Sequence, residues 1–123
     1  MRTVLVIDDS ELIRLAATVG LSASGWTVLT AESGREGVAL AAREAPDVVL
    51  LDLVMPDLDG AQTLQALRAQ AQTRETPVVF LTARADRAPA GSEGERGAAG
   101  VIEKPFAPAQ LGDALMALLG WTA

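Results

Sequence analysis

The run Val48-Val49-Leu50-Leu51-Asp52-Leu53-Val54-Met55-Pro56 is the feature that most restricts what this chain can become. Four unbroken apolar residues have the pattern of a strand buried on both faces, as in the middle of a parallel sheet. Pro56, four residues after Asp52, closes off any continuation. An Asp at the carboxyl end of such a strand sits where open α/β sheets bind their ligands. Asp also commonly starts a turn after a strand, and the run alone does not choose between the two.

The flanking sequence supplies the frame. Thr3 to Ile7 is a short apolar strand pattern ending on Asp8-Asp9. Ser10 has the chemistry of a helix cap, and Leu12, Leu15, Ala16, Val19 and Ala23 then recur at helical spacing up to a stop at Gly25. Thr27 to Ala31 reads as a second strand nearer the edge. Ser33-Gly34-Arg35-Glu36 has the form of a capping box, opening a helix to about Glu44. Asp57 to Gly60 reads as a loop, followed by a helix with Ala61, Leu64, Leu67 and Ala71 on one face. Pro77 to Leu81 is a fourth strand ending on Thr82, and Val101-Ile102 a short fifth before Glu103 and Lys104. Leu111, Leu115 and Leu118 define a last helix, with Pro108 near its start. The segment from Arg84 to Gly100 holds Pro89, Gly91, Gly94 and Gly97, so only a short or frayed helix is expected there. Strands alternating with helices predict a parallel sheet covered on both sides.

Composition narrows the chemistry. The chain of 123 residues has the length of one domain, has no cysteine, and carries a net charge of −6. Thiolate metal sites and disulfides are therefore excluded, and sequence-independent nucleic-acid binding, which needs a basic face, is disfavoured. Nothing resembles a signal peptide or a membrane span, which makes the cytoplasm the default expectation. Of the ten basic residues nine are Arg, and Lys104 is the only lysine. A compact ammonium differs from a guanidinium fork in what it can approach.

In a parallel sheet all strand carboxyl ends lie at one edge. Asp8, Asp9, Asp52, Thr82 and Lys104, far apart in sequence, are thus predicted to converge. Clustered carboxylates repel, so one takes up a proton or a cation binds among them. With oxygen ligands alone, a partly hydrated Mg²⁺ suits one or two direct carboxylates plus a phosphate. A metal, an ammonium and a hydroxyl around a carboxylate are what phosphoryl transfer needs, and Asp52 is the best candidate nucleophile.

These residues carry a resemblance. Val4-Leu5-Val6-Ile7-Asp8-Asp9-Ser10, then Leu51-Asp52-Leu53-Val54-Met55-Pro56-Asp57-Leu58-Asp59-Gly60, then Leu81-Thr82-Ala83, then Glu103-Lys104-Pro105-Phe106 together resemble the receiver domain of two-component response regulators, the CheY-like superfamily. The resemblance covers the whole chain. It implies one receiver domain over residues 1–123 without an output domain, with a flavodoxin-like five-stranded sheet in the order 2-1-3-4-5. It implies transfer of a phosphoryl group from a histidine kinase or histidine phosphotransfer protein to Asp52, with no other enzymatic activity, and signalling to a downstream protein target. Asp9 and Asp52 would bind Mg²⁺ (Mn²⁺ or Ca²⁺ could replace it) with the backbone carbonyl of Val54, and Asp8 would act through water. Thr82, Lys104 and the backbone amide of Ala83 would contact the phosphoryl group. Lys104-Pro105 would be a cis peptide, Ala83 would leave room for the donor, and Gly60 would end a loop needing unusual backbone angles.

Departures and bland readings accompany it. Family members usually carry an aromatic where this chain has Val101, so the usual coupling of threonine to ring is not available. Phosphorylation would then act by ordering Arg84 to Gly100, or act weakly. Asp57 and Asp59 read as solvated loop acids, Met55 as a gap filler, Trp26 and Trp121 as packing residues, and Phe106 as packing under the site loop. The competing classes are a haloacid dehalogenase-type phosphatase, which would need Asp-x-Asp where Asp8 and Asp9 are adjacent, and a degenerate, phosphorylation-independent interaction module. Val54 and Arg84 would flank an attacking water, and a valine offers that water no hydrogen bond. Slow self-dephosphorylation is expected, and a Val54→Asn variant that loses its phosphoryl group no faster would count against this.

Overall fold

The computed structural model describes residues 2–83 and 98–121. Five parallel strands form one sheet: β1 (Thr3–Ile7), β2 (Thr27–Ala31), β3 (Val48–Asp52), β4 (Val78–Thr82) and β5 (Gly100–Glu103), in the order β2-β1-β3-β4-β5. The four α-helices among the described residues are α1 (Glu11–Ala23), α2 (Gly34–Glu44), α3 (Gly60–Ala69) and α4 (Leu111–Leu119). Both the topology and the parallel pairing agree with the sequence reading. The expectation for Arg84 to Gly100 falls largely outside the described residues.

Alternation along each strand divides the core in two. Leu5, Ile7, Val49, Leu51, Val78 and Phe80 pack with Ala41 of α2 and with Leu64 and Leu67 of α3. Val4, Val6, Val48, Leu50, Val79 and Leu81 pack with Ala17 and Leu21 of α1 and with Leu111 and Leu115 of α4. Every side chain of β3 and β4 is buried, which is why both read as continuous apolar runs. β2 lies at the sheet edge and is only partly covered, as its composition suggested.

The helices show where periodicity misleads. The row Leu12, Leu15 and Val19 does mark α1, yet these side chains are 74%, 59% and 61% exposed. The buried residues of α1 are Ala17, Gly20 and Leu21. Small residues win the inner face because α1 meets another backbone there. A β-carbon at Gly20 would collide with the carbonyl of Pro108, in the 3₁₀ turn Pro108–Gln110 that leads into α4. In α3 the expected face is cut short: the helix ends at Ala69, and Ala71 sits exposed in a separate 3₁₀ turn. Leu118 of α4 is 39% exposed; Leu111 and Leu115 are the buried leucines of that helix, with Met116 and Leu119 packed partly buried beside them.

Helix starts are capped, partly from unexpected places. Ser10 accepts from the Ile13 amide at 3.3 Å, and Ser33 from the Glu36 amide at 3.1 Å. Asp57 is no idle loop acid: its two carboxylate oxygens accept from the Gly34 and Arg35 amides at 3.2 and 3.0 Å. It completes the first turn of α2 from a loop 22 residues away. Asp59 likewise caps α3 in a reciprocal box with Gln62. Trp26 stacks on Trp121, with ring centroids 6.3 Å apart, and Arg2 lies over Trp121. No helix among the described residues is long and apolar enough to cross a membrane.

Gly20 separates helix propensity from packing. An exposed Gly→Ala change in a helix gains about 1 kcal/mol. Here the collision with Pro108 is expected to reverse the sign, so Gly20→Ala should destabilise by about 1–3 kcal/mol. Urea denaturation of the two proteins measures this.

Candidate functional site

Strand register sets the site. Ile7 pairs with Leu51, Asp52 with Leu81 and Thr82 with Glu103, so Asp8, Asp52, Thr82 and Lys104 emerge at one level of the carboxyl edge. All five expected groups are thus strand-end residues of neighbouring strands. Asp8 is fully buried, Asp52 is 5% and Thr82 3% exposed, while Asp9 and Ala83 are exposed at the rim.

Lys104 knits the cluster together. Its Nζ lies 2.9 Å from Asp8 Oδ2 and 3.5 Å from Asp52 Oδ1. Its backbone amide donates to the Thr82 carbonyl at 2.7 Å, extending the β4–β5 ladder to the site. The Lys104-Pro105 peptide is cis, as expected from the resemblance. One carboxylate oxygen each from Asp8, Asp9 and Asp52 lie within 4.8 Å of one another. Asp8 Oδ2 is buried and has no donor aimed at it with hydrogen-bond geometry, although the ammonium is close. A buried, under-satisfied oxygen beside two further carboxylates is a donor set suited to a hard divalent cation.

The loop after β3 is held from several sides. The Val54 amide donates to Asp52 Oδ1 at 3.3 Å, and the Gly60 amide closes the loop on the Leu53 carbonyl at 2.9 Å. Gly60 does not adopt a positive φ, which corrects the expectation of unusual backbone angles. It is needed for space, since a β-carbon there would stand 2.8 Å from Leu53 Cα. Met55 is buried in the core on the α2–α3 side. Val54 is 75% exposed at the mouth of the site. Phe106 packs in the opposite core and, with Ile102 and Leu111, lines a shallow groove of about 220 Å³. Val101 packs partly buried against the core, and Arg84 lies outside the described residues.

Sequence reasoning missed one contributor. Arg14 of α1 reaches back so that Nη1 donates to the Asp8 carbonyl at 2.6 Å, while Nη2 lies 3.9 Å from Glu32 Oε2. Helical spacing gives no hint of such a contact to a preceding strand end.

A doubly wound sheet carrying three acids, a threonine and a lysine at its carboxyl edge has the build of a signal-receiving module. The chain matches the response regulator receiver domain over residues 4–116 and belongs to that family. This is a family of signalling modules, not of classical enzymes, and the phosphatase reading finds no support in it. The chain is 39% identical over 116 residues to a probable transcriptional regulator ycf27 of Guillardia theta, covering 94% of this chain and 44% of that protein. It therefore spans less than half that relative's length. Among solved structures, chemotaxis protein CheY4 of Vibrio cholerae superposes with a TM-score of 0.84 at 35% identity, over 96% of this chain and 98% of that one. The receiver domain of sensor histidine kinase PA1611 from Pseudomonas aeruginosa, solved with magnesium coordinated in its active site cleft, gives a TM-score of 0.80 at 28% identity over 97% and 98% of the two chains.

The acid cluster has a thermodynamic signature. Burial, reinforced by the Asp8 charge, raises the Asp52 carboxyl from 3.8 to about 6, while Lys104 and the Val54 amide oppose the shift. A carboxyl raised in the folded state stabilises the fold below its unfolded value, and that contribution is lost as pH rises to about 6. Above this the ionised group costs at most about 3 kcal/mol. In metal-free buffer Asp52→Asn should therefore stabilise the protein by about 1–3 kcal/mol near neutral pH. The gain should vanish near the unfolded value of 3.8. Urea titrations at the two pH values check both the sign and the disappearance.

Proposed function

We propose that Asp52 accepts a phosphoryl group from a phosphohistidine of a histidine kinase or histidine phosphotransfer protein, in a reaction that depends on Mg²⁺. The observation that carries this reading is the Lys104 ammonium, 3.5 Å from Asp52 in a pocket shared with two further acids. In the transfer, a carboxylate oxygen of Asp52 forms the new O–P bond as the N–P bond breaks. The electron pair of that bond returns to the imidazole nitrogen.

Each remaining residue has a role in this reading. Asp9, Asp52 and the Val54 carbonyl would hold Mg²⁺ directly, with Asp8 acting through water. Bound Mg²⁺ supplies charge neutralisation on the transferring oxygens. Lys104 adds a second positive charge at the acceptor itself. The Thr82 hydroxyl and the Ala83 amide donate hydrogen bonds to the remaining phosphoryl oxygens. Ala83, small and exposed at the rim, leaves the donor's imidazole room to approach.

The exposed row Leu12, Leu15 and Val19 provides the donor protein with a surface. It starts in the first turn after Asp9 and runs away from the mouth that Val54 borders. Exposed apolar groups gathered on one face mark interaction sites. A donor that must bring a phosphohistidine to Asp52 can cover them while it does so. The output is altered docking of a downstream protein. Nucleic acid is not a proposed partner, since a net charge of −6 disfavours sequence-independent binding to phosphates.

Intact-mass measurement after incubation with a small-molecule phosphodonor tests the chemistry. One added phosphoryl group is expected in the presence of Mg²⁺, and none with chelator or in Asp52→Asn. Labelling that survives in Asp52→Asn would refute the assignment. For the docking face, Leu15→Glu should slow transfer from a protein donor by about tenfold or more, the scale of a lost interface anchor. Labelling by the small donor should be unaffected by the same change.

A further inference from the structure

Asp8 is the most buried member of the acid cluster, and its polar groups are occupied with one exception. Its amide donates to the Ala31 carbonyl at 3.1 Å. Its Oδ1 accepts from the Ser10 amide at 2.9 Å. Its carbonyl accepts from Arg14 Nη1 at 2.6 Å. What remains is Oδ2, the buried oxygen that faces Lys104 and the other acids. The β1 end is thus gripped on three sides in a way that leaves one oxygen pointing into the site.

Two of those three grips come from main-chain groups, the Ala31 carbonyl at the end of β2 and the Ser10 amide at the start of α1, which the sheet and the helix start already fix. The third does not. Arg14 comes from the second turn of α1, with only 17% of its side chain exposed, and its other nitrogen lies near Glu32 on the loop after β2. Its fork therefore joins the loops that follow β1 and β2. Planar guanidinium geometry suits contact with two acceptors at once.

We propose that Arg14 is a positioning residue for the acidic site: by holding the Asp8 carbonyl it fixes the direction of the Asp8 carboxylate and so sets cation affinity. This rests on the reading of Asp8, Asp9 and Asp52 as a Mg²⁺ site. The proposal has a distinguishing sign. Arg14 is a cation close to where another cation binds. If it acted only through its charge, removing it would relieve repulsion and tighten Mg²⁺ binding. If it acts by orienting Asp8, removing it weakens binding despite the lost repulsion.

The experiment is a Mg²⁺ titration of the full chain followed by backbone amide NMR, comparing wild type with Arg14→Met and Arg14→Lys. Arg14→Met removes charge and hydrogen bonds while keeping much of the stem. It should raise the Mg²⁺ dissociation constant by about tenfold, the lower end of the range for residues that orient metal ligands. Arg14→Lys keeps a charge and one donor and should recover part of the loss. Labelling of Arg14→Met by a small phosphodonor should need more Mg²⁺ for half-maximal rate and reach the wild-type rate at saturation. A change that merely loosened the fold would lower the melting temperature without that split. Unchanged or tighter Mg²⁺ binding in Arg14→Met would overturn the proposal while leaving the site reading intact. A wild-type chain that binds no Mg²⁺ would overturn both. Should Arg14→Met fail to fold, Arg14→Gln and Arg14→Lys decide it by the same criterion.

Discussion

Two carboxylates buried side by side at the end of a sheet repel unless one takes up a proton or a positive charge lies between them. Lys104, 2.9 Å from Asp8 and 3.5 Å from Asp52, supplies that charge. The rest of the site is arranged around this contact. Register between β1 and β3 brings the two acids level, and β5 delivers the ammonium from the opposite side of β4. The neutralisation is incomplete: three acids face one lysine within the cluster, and Asp52 still lies well above an ordinary carboxyl. A site in that state favours a proton or a further cation. On the proposed reading this residual charge is what makes binding of Mg²⁺ and acceptance of a phosphoryl group favourable.

Much of this was visible before any coordinates, for a definite reason. Asp8, Asp9, Asp52, Thr82 and Lys104 all follow apolar runs, and parallel strands must present those ends together. No side-chain detail is needed for that inference. Residues whose partners lie elsewhere in space were not legible. Asp57 is exposed in its loop, as the sequence suggests, but its bonds to the Gly34 and Arg35 amides are not legible because those amides belong to another loop. Arg14 gave no signal because its acceptor is a backbone carbonyl of the preceding strand end. Asp59 is different, since its spacing to Gln62 is that of a capping box and could have been recognised.

The first helix holds the most informative error. Both its rows are apolar: Leu12, Leu15 and Val19 on one, Ile13, Ala17, Gly20 and Leu21 on the other. Periodicity identifies the helix but cannot say which row is inside. Close approach to the Pro108 backbone favours the smaller residues, and the larger ones are left facing outward. A chain with two charged residues in this helix, Glu11 and Arg14, leaves three large apolar side chains exposed on it. The proposed role as a donor-docking face accounts for that arrangement, which stability alone does not require.

On the proposed reading, Asp52 is held in an electrostatically unfinished site that a divalent cation completes. The most direct measurement is the titration of the Asp52 carboxyl carbon by NMR, without metal and with saturating Mg²⁺. A midpoint near the raised value of about 6 is expected in the metal-free protein. With Mg²⁺ the midpoint should fall below the ordinary value of 3.8. A midpoint near 3.8 that ignores Mg²⁺ would contradict it.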